Sequence, residues 1–144
     1  MYYGAGNHFL QGKKKTLPVY EIELLEVDDL SELSKKEGTV ILHNQGEEYR
    51  VGRPYVVYDE GVYKMFFCKG TENITYRLAY AESKDGRQWE RMDEKLNLPL
   101  SETGWDSEMM AYPAFVRYKG TAYLFYNGNN YGYEGFGYAE LISK

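Results

Sequence analysis

At 144 residues, with 27% charged and 43% hydrophobic side chains, the chain is long enough to bury a core of its own and too apolar for wholesale disorder. A net charge of −5 argues against nucleic-acid backbones and anionic membranes as main partners, and no apolar run approaches the ~20 residues that span a bilayer. The 17% aromatic content, led by 16 tyrosines, suits strands and sugar-stacking surfaces better than helices.

In chain order, Met1-Tyr2-Tyr3-Gly4 reads as the end of a strand and lacks the basic and apolar regions of a signal peptide. Lys13-Lys14-Lys15 is the one basic run, a solvated hairpin loop. Tyr20 to Glu26 reads as the next strand. Asp28 to Leu33 then reads either as a short outer strand or as a helical turn capped by Asp28 or Asp29. Arg53 to Tyr58, a turn at Asp59-Glu60-Gly61, Tyr63 to Phe67 and Tyr76 to Glu82 form three successive strands. Ser83 to Trp89 turns into a short outer strand anchored by Trp89. Roughly 59 residues later the pattern returns: Tyr112 to Tyr118, a Lys119-Gly120 turn, Tyr123 to Tyr126, the connection Asn127 to Gly135, and a closing strand Gly135 to Glu140.

Tyr55 to Tyr58 and Lys64 to Phe67 are apolar almost without alternation, which predicts sheets buried on both faces. The expected fold is therefore all-β, built from β-propeller blades, about 2.5 per chain. Residues 1–46 form an incomplete blade, 47–104 a blade and 105–144 a blade, in one domain. Cys68, the single cysteine, ends an apolar strand as a buried structural thiol; no intramolecular disulfide forms, which suits a cytoplasmic location. His8 and His43 are isolated, so no metal site and no cofactor is expected.

Inner strands of a propeller start around its central axis, so the residues just before Pro54 and Pro113 line the expected funnel. Before Pro54 stand Glu48, Arg50 and Arg53. Before Pro113 stand Trp105, Asp106, Glu108 and Tyr112. Carboxylates accept sugar hydroxyls, Arg donates in a fixed fork and aromatic faces stack on pyranose rings. Glu108 and Asp106 are the acidic, catalytic candidates, or else a solvated loop with an Asx turn at Asp106. Arg53 clamps a ligand or pairs with a neighbouring blade's acid. Trp105 and Tyr112 are stacking platforms or packing aromatics. Glu48 and Arg50 complete the substrate-binding set. The tyrosines of the Asn127–Gly135 tract could line a glycan cleft.

Arg53-Pro54 with its apolar strand, Tyr76 to Ala81 with Ser83 to Trp89, and Trp105-Asp106 through Pro113 resemble the five-bladed propeller glycosidases of glycoside hydrolase families 43, 32, 68 and 130. The resemblance is good over residues 47–142 and loose over 1–42. It implies the last two and a half blades of such a ring. In that family three carboxylates sit on the first three inner strands, one or two residues before the blade proline. Here those positions hold Gly52, Arg53, Ala111 and Tyr112, so the resemblance implies that the catalytic carboxylates are incomplete in this chain. The expected function is a glycosidase-like protein acting on or binding a glycan in the funnel. The alternative is a non-catalytic glycan-binding or assembly module. Either further blades or a second copy would close the ring, and a homodimer of two such chains supplies five four-stranded blades.

Overall fold

The computed structural model describes residues 1–142. Its strands form three antiparallel sets. The first holds β1 (Tyr2–Gln11), β2 (Thr16–Leu24) and β3 (Thr39–Leu42), with β2 in the middle. The second is a four-stranded meander of β4 (Glu48–Asp59), β5 (Val62–Thr71), β6 (Arg77–Ser83) and β7 (Glu90–Arg91). The third is β8 (Ala111–Tyr118), β9 (Thr121–Asn127) and β10 (Phe136–Leu141). A parallel pairing of Tyr20 with Arg50 joins the first set to the second. Among the described residues the one α-helix, α1 (Asp93–Leu96), is a single turn, so the fold is all-β.

The repeat seen in the sequence is physical. Glu60-Gly61 closes the β4–β5 hairpin and Lys119-Gly120 closes β8–β9, each as a two-residue loop with positive φ at both positions (54° and 84°; 47° and 85°). That is the turn whose twist matches paired strands, and glycine at its second position carries no Cβ penalty.

Burial on both faces is clearest in β5. Met65, Phe66, Phe67 and Cys68 are all buried, and alternation along the strand sends them to opposite sides. Met65 and Phe67 join Ile22, Leu42, Val51, Ala79 and Ala81 between the first and second sets. Phe66 and Cys68 join Leu78, Tyr80, Met110, Phe115 and Leu124 between the second and third. Phe66 stacks on Phe115 at 5.5 Å between centroids. Each such side chain contributes ~1.5–3 kcal/mol by leaving water.

Two expectations change. Tyr55 to Tyr58 is not buried throughout: Tyr58 is 65% exposed and rests on Tyr63 at 4.9 Å. Among the described residues, β4 pairs beyond residue 53 with β5 alone. Asp28 to Leu33 takes the helical alternative. Leu30–Glu32 is a 3-10 turn in which the Asp29 carboxylate accepts the Ser31 N–H at 2.7 Å, and the third strand of that set comes later, from β3. The Lys13-Lys14-Lys15 loop is exposed as expected, and its backbone does the binding: the N–H groups of Lys13 and Lys14 donate to Glu72 at 3.0 and 3.1 Å.

Candidate functional site

Strands β4 and β8 carry the same irregularity. Pairing of β4 with β5 slips between Gly52 and Tyr55, and pairing of β8 with β9 slips between Ala111 and Ala114. At each slip the residue before the proline is left-handed, Arg53 at φ 54° and Tyr112 at φ 57°. A proline disfavours helical backbone in its predecessor, and a side chain at positive φ costs ~1–3 kcal/mol and persists only where its surroundings impose it. Bulges of this kind re-aim a side chain. Here the two re-aimed side chains meet: the Arg53 guanidinium lies over the Tyr112 ring at 4.8 Å.

The thiol of Cys68, opposite Gly52 in the β4–β5 register, sits beneath this contact and accepts the Tyr112 N–H at 3.2 Å. Burial pushes the thiol up to about 12, so it satisfies a displaced backbone donor and is no nucleophile.

Arg50 enters from the same strand. Its guanidinium covers the Tyr76 ring at 4.1 Å and the Tyr49 ring at 5.0 Å. It lies against Gly70, its register partner on β5, where a Cβ would come within 2.6 Å of Nε. That Nε is buried with no hydrogen-bond partner. Tyr76, Tyr112 and Tyr131 then form a cluster with centroids 6.2 to 6.5 Å apart. Tyr131 comes from the glycine-rich connection, whose 3-10 turn (Asn130–Gly132) holds it at φ 58°. Burial raises the Tyr76 hydroxyl above its ordinary range, so it stays protonated as a donor.

Charge balance separates Arg50 and Arg53 from the other arginines. Arg87 pairs with Glu26, Arg91 with Glu48 and Asp93, and Arg117 with Asp59 and Glu60. Arg77 donates to the carbonyls of Tyr76 and Glu108 at 3.0 and 2.6 Å. Among the described residues, no ion pair or hydrogen bond engages the Arg50 or Arg53 guanidinium.

The remaining sequence candidates lie elsewhere. Glu48 accepts both Arg91 nitrogens at 2.7 and 2.6 Å, because β4 slips register between Glu48 and Arg50 and sends the two side chains to different partners. Asp106, 5% exposed, accepts the Tyr126 hydroxyl at 2.9 Å. Burial and that bond push Tyr126 up to about 12. Trp105 stacks on Tyr126 at 5.4 Å, and its side chain is covered by the backbone of the glycine-rich tract and of β10: Cβ atoms at Gly135 or Gly137 would come within 2.6 and 2.7 Å of it. It is a packing aromatic. Glu108 is exposed; its N–H donates to Asn129 Oδ1 at 2.8 Å and its carbonyl accepts Thr75 Oγ1 at 2.6 Å, which fixes it beside the Tyr76 loop. The structure thus gathers Arg50, Arg53 and Tyr112, adds Tyr76 and Tyr131, and leaves Glu48, Trp105 and Asp106 in supporting contacts. The signal for Tyr131 is its setting in the tyrosine-bearing tract; Tyr76 has only its place at the start of a strand.

A groove of about 880 Å³ along β10 and α1 is lined by Lys64, Phe66, Tyr80, Glu82, Lys95 and Leu141 among others. Its lysines are already neutralised, Lys64 by Asp59 and Glu60 and Lys95 by Glu82. Arg50 and Arg53 lie outside this groove, on β4. Among the described residues no group of three or more His, Cys, Asp or Glu is placed to hold a metal ion, and no helix is long and apolar enough to cross a membrane.

No protein-family model matches the chain. It is 40% identical over 89 residues to the uncharacterized protein Rv1502 of Mycobacterium tuberculosis (strain ATCC 25618 / H37Rv) and 39% identical over 89 residues to the uncharacterized protein MT1551 of the CDC 1551 / Oshkosh strain. Each match covers 62% of this chain and 29% of the relative, so the chain spans under a third of the relatives' length. Among solved structures it is similar to a glycoside hydrolase, with TM-score 0.63 and 16% identity over 99% of this chain and 41% of that one. A second, a BT0996 RGII complex, gives TM-score 0.60 and 18% identity over 99% and 40%. At such identities the likeness is one of fold.

Proposed function

We propose that the chain is the glycan-binding part of a carbohydrate-active propeller protein, with the ligand held at the starts of β4 and β8 by Arg50, Arg53, Tyr76, Tyr112 and Tyr131. The observation that carries this reading is the pair of matched bulges, which spend backbone strain to bring an arginine and a tyrosine from neighbouring sheets together. The fold shared with a glycoside hydrolase supports it. The positions one and two before each blade proline, Gly52, Arg53, Ala111 and Tyr112, carry no carboxyl group, so the chain's own share is binding rather than proton transfer. Glu108, exposed beside the Tyr76 loop, is the acid we assign to a substrate contact. Asp106 acts through Tyr126 as a positioning residue.

Chemical-shift titration against a panel of neutral and acidic oligosaccharides tests this. Glycan-dependent shifts at Tyr76, Tyr112 and Tyr131 are expected, weakened at least ~tenfold by Tyr112→Ala. Shifts confined to the β10–α1 groove, or none with any glycan, would overturn it.

A second reading concerns assembly. The outer face of the third set carries Tyr123, Phe125, Phe136 and Tyr138 in mutual ring contact, with Phe136 65% and Tyr138 55% exposed. Such a face suits a neighbouring blade, supplied by more of the same polypeptide or by a second copy of this chain.

A further inference from the structure

We infer that the site is built for an acidic glycan, whose oxyanion is taken between the Arg50 and Arg53 guanidiniums while a sugar ring lies on the tyrosines. This rests on the glycan-binding reading above and adds the charge of the ligand to it.

In a chain of net charge −5, acidic partners for arginines are plentiful. Three of the six arginines have taken them, in bidentate or near-bidentate geometry: Arg87 on Glu26 at 3.1 and 2.6 Å, Arg91 on Glu48 at 2.7 and 2.6 Å, and Arg117 on Asp59 at 2.8 and 2.7 Å. Arg50 and Arg53, three residues apart on one strand, are held instead over tyrosine rings. A ring face satisfies part of a guanidinium's charge and none of its five N–H donors. Apart from the buried Arg50 Nε, the donors therefore stay available at a place where aromatic faces already stand.

The scaffold holds the two cations there at a cost. Arg53 sits at positive φ, and Arg50 occupies space that exists because residue 70 is glycine. Arg50 lies on the Tyr76 ring and Arg53 on the Tyr112 ring, and those rings stand 6.5 Å apart, which places both charges on one aromatic floor. A neutral sugar would need only hydroxyl-directed donors; two uncompensated guanidiniums fit a planar carboxylate or a phosphate, to which Arg donates as a fork.

The test uses the whole chain and trisaccharides of galacturonate and mannuronate, each beside its methyl ester, which keeps the stereochemistry and removes the charge. Binding of at least one free acid ~tenfold tighter than its ester is expected at low salt, with the advantage shrinking as salt screens it. Arg53→Gln should weaken binding of the free acid by a larger factor than binding of its ester, so that most of the advantage is lost, with the unfolding midpoint near wild type; the wild-type acid–ester comparison stands even if the variant folds poorly. Competition with galactose 1-phosphate separates the sources of the oxyanion. Displacement identifies a site that reads charge, and no displacement one that reads the planar carboxylate; both uphold the inference. Equal binding of acid and ester overturns it and leaves the glycan site standing. No binding of either form, nor of the neutral oligosaccharides, overturns both.

Discussion

Asp59 shows at the scale of one residue how this molecule uses its acids. It ends β4, yet its carboxylate accepts two Arg117 nitrogens from β8 and Lys64 Nζ at 2.6 Å, tying the second set of strands to the third. The Arg117 hydrogen bonds, reinforced by Lys64, lower its pKa from 3.8 to about 2. A carboxyl held low in the folded state adds stability above its unfolded pKa, and loses that contribution as pH falls toward the folded value. Asp59→Asn should therefore be less stable than wild type at neutral pH, with the gap closing between about pH 4 and about pH 2. Urea midpoints across that range measure it, and a gap independent of pH would show that the pair does not act through this carboxylate. The same competition decided which sequence candidates reached the site. Glu48 and Asp106 met buried partners, Arg91 and Tyr126, whereas Arg50 and Arg53 met rings. Nothing in the order of residues announces that choice, because the partners lie 43 and 20 positions away.

Among elements, the glycine-rich connection from Asn127 to Gly135 was legible as a long link between strands, and its purpose was not. Gly128, Gly135 and Gly137 lie on Trp105, where any Cβ would collide with the indole or its backbone. Asn129 completes the fastening: Oδ1 accepts the N–H groups of Glu108 and Met109, and Nδ2 donates to the Gly104 carbonyl. The tract is thus a clamp that seats Trp105 and delivers Tyr131 to the site. Gly128→Ala must displace backbone rather than a flexible side-chain tip, so a loss of ~1–3 kcal/mol is expected, with a changed Trp105 emission. Denaturant unfolding followed by fluorescence checks both; wild-type stability and emission would mean the clamp yields freely. The bulges belong to this scale too. The prolines after Arg53 and Tyr112 marked the repeat, while the positive φ before each is set by the register of the neighbouring strand.

For the whole molecule, the middle set of strands is finished on both faces and the third on one. Tyr123, Phe125, Phe136 and Tyr138 present a continuous aromatic surface to solvent, larger than scattered single side chains would make. If a second copy covers it, sedimentation equilibrium should return twice the 16.8 kDa chain mass, and Phe136→Asp with Tyr138→Asp should return the single mass without loss of secondary structure. A concentration-independent monomer of the unaltered chain would rule the second copy out.

The residue order by itself determined the strand succession from Arg53 onward, the two hairpin turns and the double-faced burial of Met65 to Phe67. Each follows from short-range chemistry: alternation along a strand, positive φ tolerated at glycine, and apolar side chains leaving water. Tertiary structure alone decided which charges were neutralised, which aromatic ring was covered and which stood open. Those outcomes depend on groups brought together from distant strands, where a hydrogen bond or an ion pair is worth forming only once water has been excluded from both partners.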